Sequence, residues 1–197
     1  KYSISGAKNF FKKGKYGLDE LNQNNIDKDN LKTNLQFKLK LLNEKLKNLK
    51  KIKGNANLIL ASNVFAHSDK LKEMAECMMF LLSKNGTIII EVQYLMNTLK
   101  DLTFDNIYHE HYNYWSLTSL VNFFKKFGVK IFKVEKIDTH GGSIRVYISK
   151  NKNIRLDRSV SLILKEEEDF GIKNFNIYQL FGKKIEKIRN QVRENLV

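Results

Sequence analysis

Between residues 27 and 53 leucines recur at 31, 35, 39, 42, 46 and 49, stepping by four and three, with lysines between them. That spacing gathers the apolar side chains on one face and predicts an amphipathic helix. It would cover a sheet or pair as a coiled coil. Leu58-Ile59-Leu60-Ala61-Ser62-Asn63-Val64 lacks that period and, being short and continuously apolar, predicts a strand buried on both faces. A helix follows over about 69–84 with Asn85-Gly86 as its stop, and the β-branched run Thr87–Val92 predicts a second buried strand. Strand, helix and strand in this order imply a parallel crossover unit, half of a doubly wound sheet. Next come a helix near 93–101, a long loop over 102–115 and a helix over 116–127 closed by Gly128. Residues 129–136 and 143–150 alternate in strand fashion around Asp138-Thr139-His140-Gly141-Gly142, which predicts an antiparallel hairpin. From about Leu156 the pattern is helical to the end, and residues 151–155 mark the change of architecture. The expected division is therefore 1–151, an α/β domain, and 152–197, the start of a helical one. Residues 1–26 are polar and irregular, punctuated by Gly6, Gly14 and Gly17.

Composition sharpens this picture in a few places. Hydrophobic residues make up 42% of the 197, enough for a folded core. The net charge of +14 would attract polyanions, yet residues 1–53 hold 14 lysines against five acids (Asp19, Glu20, Asp27, Asp29 and Glu44), a net of +9. The basic excess is therefore concentrated in the first quarter. Lys and Asn abound and Pro is absent, a bias in usage more than a nucleic-acid-binding design, so nucleic acid is not an expected partner. One cysteine, Cys77, excludes an internal disulfide and a multi-cysteine zinc site. There is no run of about 18 apolar residues and no leader pattern, so a cytoplasmic setting without membrane contact is expected. The first residue is Lys1 rather than Met, which suggests a start farther upstream.

All four histidines, His67, His109, His111 and His140, fall just beyond or between predicted strands. Ligands of open parallel sheets bind past the carboxyl ends of the strands. Tyr108-His109-Glu110-His111 packs a phenol, two imidazoles and a carboxylate into four loop residues, followed by Tyr112, Tyr114 and the single tryptophan, Trp115. Imidazole titrates nearest neutral pH and suits a general base, while Glu and Tyr orient a polar substrate. The aromatic residues would wall a pocket. Neighbouring loop residues seldom chelate one ion by themselves, so a metal is not expected. Thr139-His140-Gly141-Gly142-Ser143 reads as a hairpin corner or as a close backbone approach to a ligand.

The segments Asn63-Val64-Phe65-Ala66-His67, Glu91-Val92-Gln93-Tyr94-Leu95, Phe104–Tyr112, Ser116–Leu120 and Thr139–Tyr147 run in an order and spacing that resembles the S-adenosylmethionine-dependent sugar C-methyltransferases. The resemblance covers about residues 58–150, and the helices from Val160 to Leu196, with the run Glu166-Glu167-Glu168, resemble the start of that family's C-terminal domain. It implies a class I, Rossmann-like sheet of parallel strands with a C-terminal antiparallel hairpin, followed by helices. It also implies methyl transfer from S-adenosylmethionine to the carbon beside the ketone of a nucleotide-linked deoxysugar. His111 would be the base, Tyr108 and Glu110 would hold the sugar, and His67 would sit where cofactor and sugar meet. The remaining implied sugar contacts are His109, Tyr112, Trp115, His140, Gly141, Gly142 and Arg145. The implied cofactor contacts are Asn63, Phe65, Ala66 and Glu91.

The family's cysteine-rich zinc module has no counterpart here, and no strand leading into a Gly-rich cofactor turn precedes Asn57. The chain is therefore expected to be truncated at both ends. A parallel sheet without its first strands would have a long open edge that invites pairing with a second copy. The competing reading from a different class is a non-catalytic scaffold whose basic helix 27–53 grips an anionic partner.

Overall fold

A computed structural model describes residues 44–195, of which 44–53 are helical (α1). Most of the Lys-rich helix expected over 27–53, and all of the irregular segment before it, lie outside the described residues. The described residues fall into two units, 44–53 and 54–195. The description below concerns the second.

Its elements follow in the order β1 (Ala56–Ser62), α2 (Leu71–Leu81), β2 (Leu82–Gln93), α3 (Leu95–Asp101), α4 (Leu117–Lys125), β3 (Lys130–Ile137), β4 (Ser143–Ser149), α5 (Arg158–Phe170) and α6 (Phe175–Asn195). Short 3-10 turns occupy Phe65–His67, Phe104–Asn106 and Thr139–Gly141. The four strands lie in the spatial order β1-β2-β4-β3. β1 and β2 are parallel, while β4 is inserted antiparallel to both β2 and β3. β1, β2 and β3 thus run one way and the hairpin's second strand returns between them, the mixed α/β sheet expected of a class I methyltransferase fold.

Alternation fixes which face is covered. Ile88, Ile90 and Val92 of β2 lie beside Ile148, Val146 and Ile144 of β4, and all six are completely buried. Buried residues of α2, α3, α4 and α5 join them in one core, including Met78, Met96, Phe124 and Ile163. Burial at roughly 25 cal/mol per Å² makes this face the main source of stability. Phe65 packs into the same core with its ring 5.4 Å from Trp115 and 5.7 Å from Phe124. The hairpin, the parallel crossover and the helices after 156 form as their patterns predict. Val160, Ile163 and Ile172 carry the helical segment into the core of the sheet.

Two expectations are corrected. β1 is not buried on both faces: Ile59 and Ala61 turn to the core, whereas Leu58 and Leu60 are 60% and 64% exposed. Among the described residues β1 pairs on one side only, and the sheet face that Leu58 and Leu60 share carries a polar network of Glu91, Arg145, Glu135 and Lys133. The second correction concerns Asn85-Gly86, which does not stop α2. The helix ends at Leu81, the chain is already extended at Leu82, and Gly86 lies inside β2. A Cβ on Gly86 would come within 2.7 Å of Leu82 Cδ1 and 2.9 Å of the Ala56 carbonyl, so it is strand packing that needs the glycine.

Candidate active site

β1 ends where Asn63 turns into left-handed conformation (φ 52°), its N–H donating to the Glu91 carbonyl at 3.0 Å. This couples the carboxyl ends of the two parallel strands. The chain then forms the turn Phe65–His67, anchored by buried Phe65 and Ala66, with Val64 exposed. The Ala66 carbonyl accepts the N–H groups of Tyr112 (3.1 Å) and Asn113 (3.2 Å), and the Asn113 side chain donates to the Ser68 carbonyl at 2.9 Å. The long loop is clamped onto the exit of β1 by these bonds. Their consequence is a ring cluster: His67 and His111 have centroids 4.7 Å apart, and Tyr108 lies 4.5 Å from His111. Tyr114 closes the other side at 6.1 Å, its phenol pushed up by burial.

Hydrogen bonds settle which nitrogens carry protons. His111 Nδ1 lies 2.7 Å from the Asn106 carbonyl, and His67 Nδ1 lies 3.0 Å from the Glu110 carbonyl. A carbonyl oxygen only accepts, so each Nδ1 bears the hydrogen, and in the neutral form of either ring the lone pair sits on Nε2. The two imidazole rings thus stand side by side, each oriented by its Nδ1 bond. His109 is turned outward with its ring 5.9 Å from Tyr108 and its Nε2 4.0 Å from the Glu110 carboxylate, both side chains well exposed. Tyr112 is 63% exposed beside the cluster.

The turn between β3 and β4 borders the same loop. His140, Gly141 and Gly142 all have positive φ (52°, 75° and 103°). Gln93 donates to the His140 carbonyl, Ser143 Oγ and the Gly142 N–H both donate to the Thr139 carbonyl, and the Tyr94 N–H donates to the Gly142 carbonyl, each at 3.0 Å. A Cβ on Gly141 would meet Thr103 and Asn106, the residue that orients His111, at 3.6 and 3.8 Å. The His140 side chain is exposed.

Other residues singled out from the sequence stand apart from this cluster. Trp115 is 7% exposed and packs against Phe65 and Phe123, so it belongs to the core and not to a pocket wall. The Phe65 and Ala66 side chains are likewise enclosed, which leaves them as anchors of the loop. Glu91 and Arg145 are cross-strand neighbours that pair with each other at 2.9 Å on the sheet face shared with Leu58 and Leu60. Bonding to the Glu91 carboxylate raises the already high pKa of the Arg145 guanidinium. Sequence reasoning missed Asn106, which acts through its backbone and leaves no side-chain signature. It also missed Glu167, which is fully buried; the available signal was a carboxylate at the spacing of the apolar stripe Val160, Ile163, Glu167.

At the carboxyl end of β1, where ligands of parallel sheets bind, exposed Val64 follows Asn63 and precedes the turn that ends in His67, an apolar side chain among polar ones. The family profile described as a methyltransferase domain matches residues 12–134, and the one described as a C-methyltransferase C-terminal domain matches residues 138–197. The chain is similar to the C-methyltransferase NovU of Streptomyces niveus, with 35% identity over 142 residues. That match covers 72% of this chain and 34% of the relative, so the chain spans about a third of the length of the curated protein it matches.

Proposed function

The chain belongs to the methyltransferase family, and from that premise we propose that the protein is an S-adenosylmethionine-dependent C-methyltransferase acting on the carbon beside the ketone of a nucleotide-linked deoxysugar. The observation that carries this reading is the tautomer of His111. Its Nδ1–H is committed to the Asn106 carbonyl at 2.7 Å, which leaves Nε2 as a placed base and stabilises the imidazolium formed when that base takes a proton.

Asn63, Val64 and His67 would hold the cofactor, which supplies an electrophilic methyl group to be taken up by the electron pair of the substrate carbon. A hydrogen on a carbon beside a ketone is acidic enough for imidazole to remove when the base is correctly placed. His111 Nε2 receives that proton, and the developing negative charge moves to the ketone oxygen. Tyr108, with its ring 4.5 Å from His111, brings a hydroxyl donor to the same region, and donors aimed at new charge are commonly the largest catalytic contribution. Glu110 and His109 line the open rim, suited to sugar hydroxyls, and His140 with its glycines borders the loop that carries them.

In the full-length protein, His111→Ala should lower turnover by about 10²–10⁴-fold, the usual weight of a general base, with S-adenosylhomocysteine binding retained. Undiminished turnover would remove His111 from the mechanism.

A further inference from the structure

The C-terminal helix α5 places one carboxylate where the chemistry above does not use it. Glu167 is fully buried, and its two oxygens accept the first two N–H groups of α4, from Leu117 at 2.5 Å and Thr118 at 2.8 Å. Ser116 takes the third through its side chain, at 3.1 Å from the Ser119 nitrogen. The start of α4 is thus satisfied jointly by its own cap and by a residue fifty positions away. On its other side the carboxylate faces Tyr94, whose phenol is pushed up by burial and by the Glu167 charge. Tyr94 donates its own N–H to Gly142, and the adjacent Leu95 N–H donates to the Trp115 carbonyl at 2.9 Å.

Only four residues separate His111 from Ser116. The loop bearing the base is held at Tyr112 and Asn113 by the Ala66 carbonyl and, immediately beyond, at Leu117 and Thr118 by Glu167. A buried carboxylate is costly to retain, and an apolar side chain of similar size serves packing as well or better. Its two charge-assisted bonds fix a location. We propose that Glu167 is a positioning residue: from α5 it sets the origin of α4, and through that short tether the placement of His111. The part played in catalysis rests on the methyl-transfer reading; the mechanical link between Glu167 and the loop does not.

The test uses the full-length protein with cofactor and compares Glu167→Ala and Glu167→Gln, the latter keeping the volume and one acceptor. Two quantities are read: the kcat and KM of methyl transfer, and the hydrogen exchange of amides 108–120. A misplacement of order 1 Å costs roughly 10²-fold, so Glu167→Ala should lower kcat by about 10- to 100-fold with KM for the cofactor little changed, and Glu167→Gln should fall between it and the parent. Exchange at Tyr112 and Asn113, as well as at Leu117 and Thr118, should rise by about tenfold or more while β4 stays protected. Faster exchange confined to Leu117 and Thr118, or kcat equal to the parent in both variants, would overturn the proposal. Should Glu167→Ala fail to fold, Glu167→Gln decides. If the parent protein transfers no methyl group, the functional reading fails by itself, and the exchange at Tyr112 and Asn113 still decides whether Glu167 controls the loop.

Discussion

Gly142 sits in the turn beside the loop that carries His111, with φ 103° and ψ 118°, a region essentially reserved for glycine. A Cβ added there would lie 2.5 Å from Asn97 Nδ2, 2.8 Å from its Cγ and 3.0 Å from its Cβ. The amide end of Asn97 can swing aside, at the expense of its 3.3 Å bond to Asp101, but the Cβ moves only if α3 moves. Nor can the turn relax freely, since both the N–H and the carbonyl of Gly142 are bonded, to Thr139 and Tyr94. Backbone strain of about 1–3 kcal/mol and overpacking of about 1–3 kcal/mol together place Gly142→Ala at about 3 kcal/mol. Gly128 is the internal reference: its φ is also positive, at 68°, but a Cβ would meet nothing within 4 Å, so Gly128→Ala should cost only about 1 kcal/mol. The difference of about 2 kcal/mol corresponds to roughly 4–8 °C in Tm for a unit of this size. Thermal unfolding followed by the near-ultraviolet signal of buried Trp115 measures it. Adding Asn97→Ala removes the two nearest atoms and should return about 1 kcal/mol to the Gly142→Ala protein. Equal Tm values for the two glycine variants would refute the reasoning.

The two faces of the sheet should respond differently to substitution. Ile90→Ala, in the buried core, should cost about 2–5 kcal/mol, whereas Leu60→Thr on the open face should stay within about 0.5 kcal/mol, as read from urea midpoints. A large loss at Leu60 would contradict the exposure of that face. Glu135 has its pKa lowered first by the hydrogen bond from Lys133, then by the one from the Tyr147 hydroxyl. Since the folded pKa lies below the unfolded one, the stabilisation is fully present above about pH 4.3 and is lost as pH falls through the folded value. Glu135→Gln should therefore flatten the decline in stability below about pH 4.3, and an unaltered acid limb would show that the network contributes nothing.

Local pattern revealed what depends on neighbours in sequence. The β-branched run Thr87–Val92, the alternation flanking residues 138–142 and the glycine after α4 each lead to the element that forms. The crowding of His109 and His111 into one loop, with His67 just past a parallel strand, pointed to the cluster of His67, Tyr108 and His111. What stayed hidden depends on partners far along the chain. Leu58 and Leu60 read as core because hydrophobicity states a preference and not whether a layer is present to satisfy it. Gly86 reads as a helix stop until the Ala56 carbonyl is seen against it. Trp115 reads as a ligand wall because it follows exposed aromatics, yet its strand bridge to Tyr94 draws it inward. Glu91 and Arg145, singled out separately, face each other across β2 and β4, a pairing that requires the inserted strand order. Glu167 was one of three glutamates in a row, and nothing near it in sequence announces its backbone partners, which lie fifty residues earlier.

The most direct test of the account is the incubation of full-length protein with a nucleotide-linked keto-deoxysugar and S-adenosylmethionine carrying a deuterated methyl group, with the product located by carbon NMR. The account predicts a deuterated methyl on the carbon beside the ketone, and its loss in His111→Ala. Label appearing on oxygen or nitrogen, or on carbon at the same rate without His111, would contradict it.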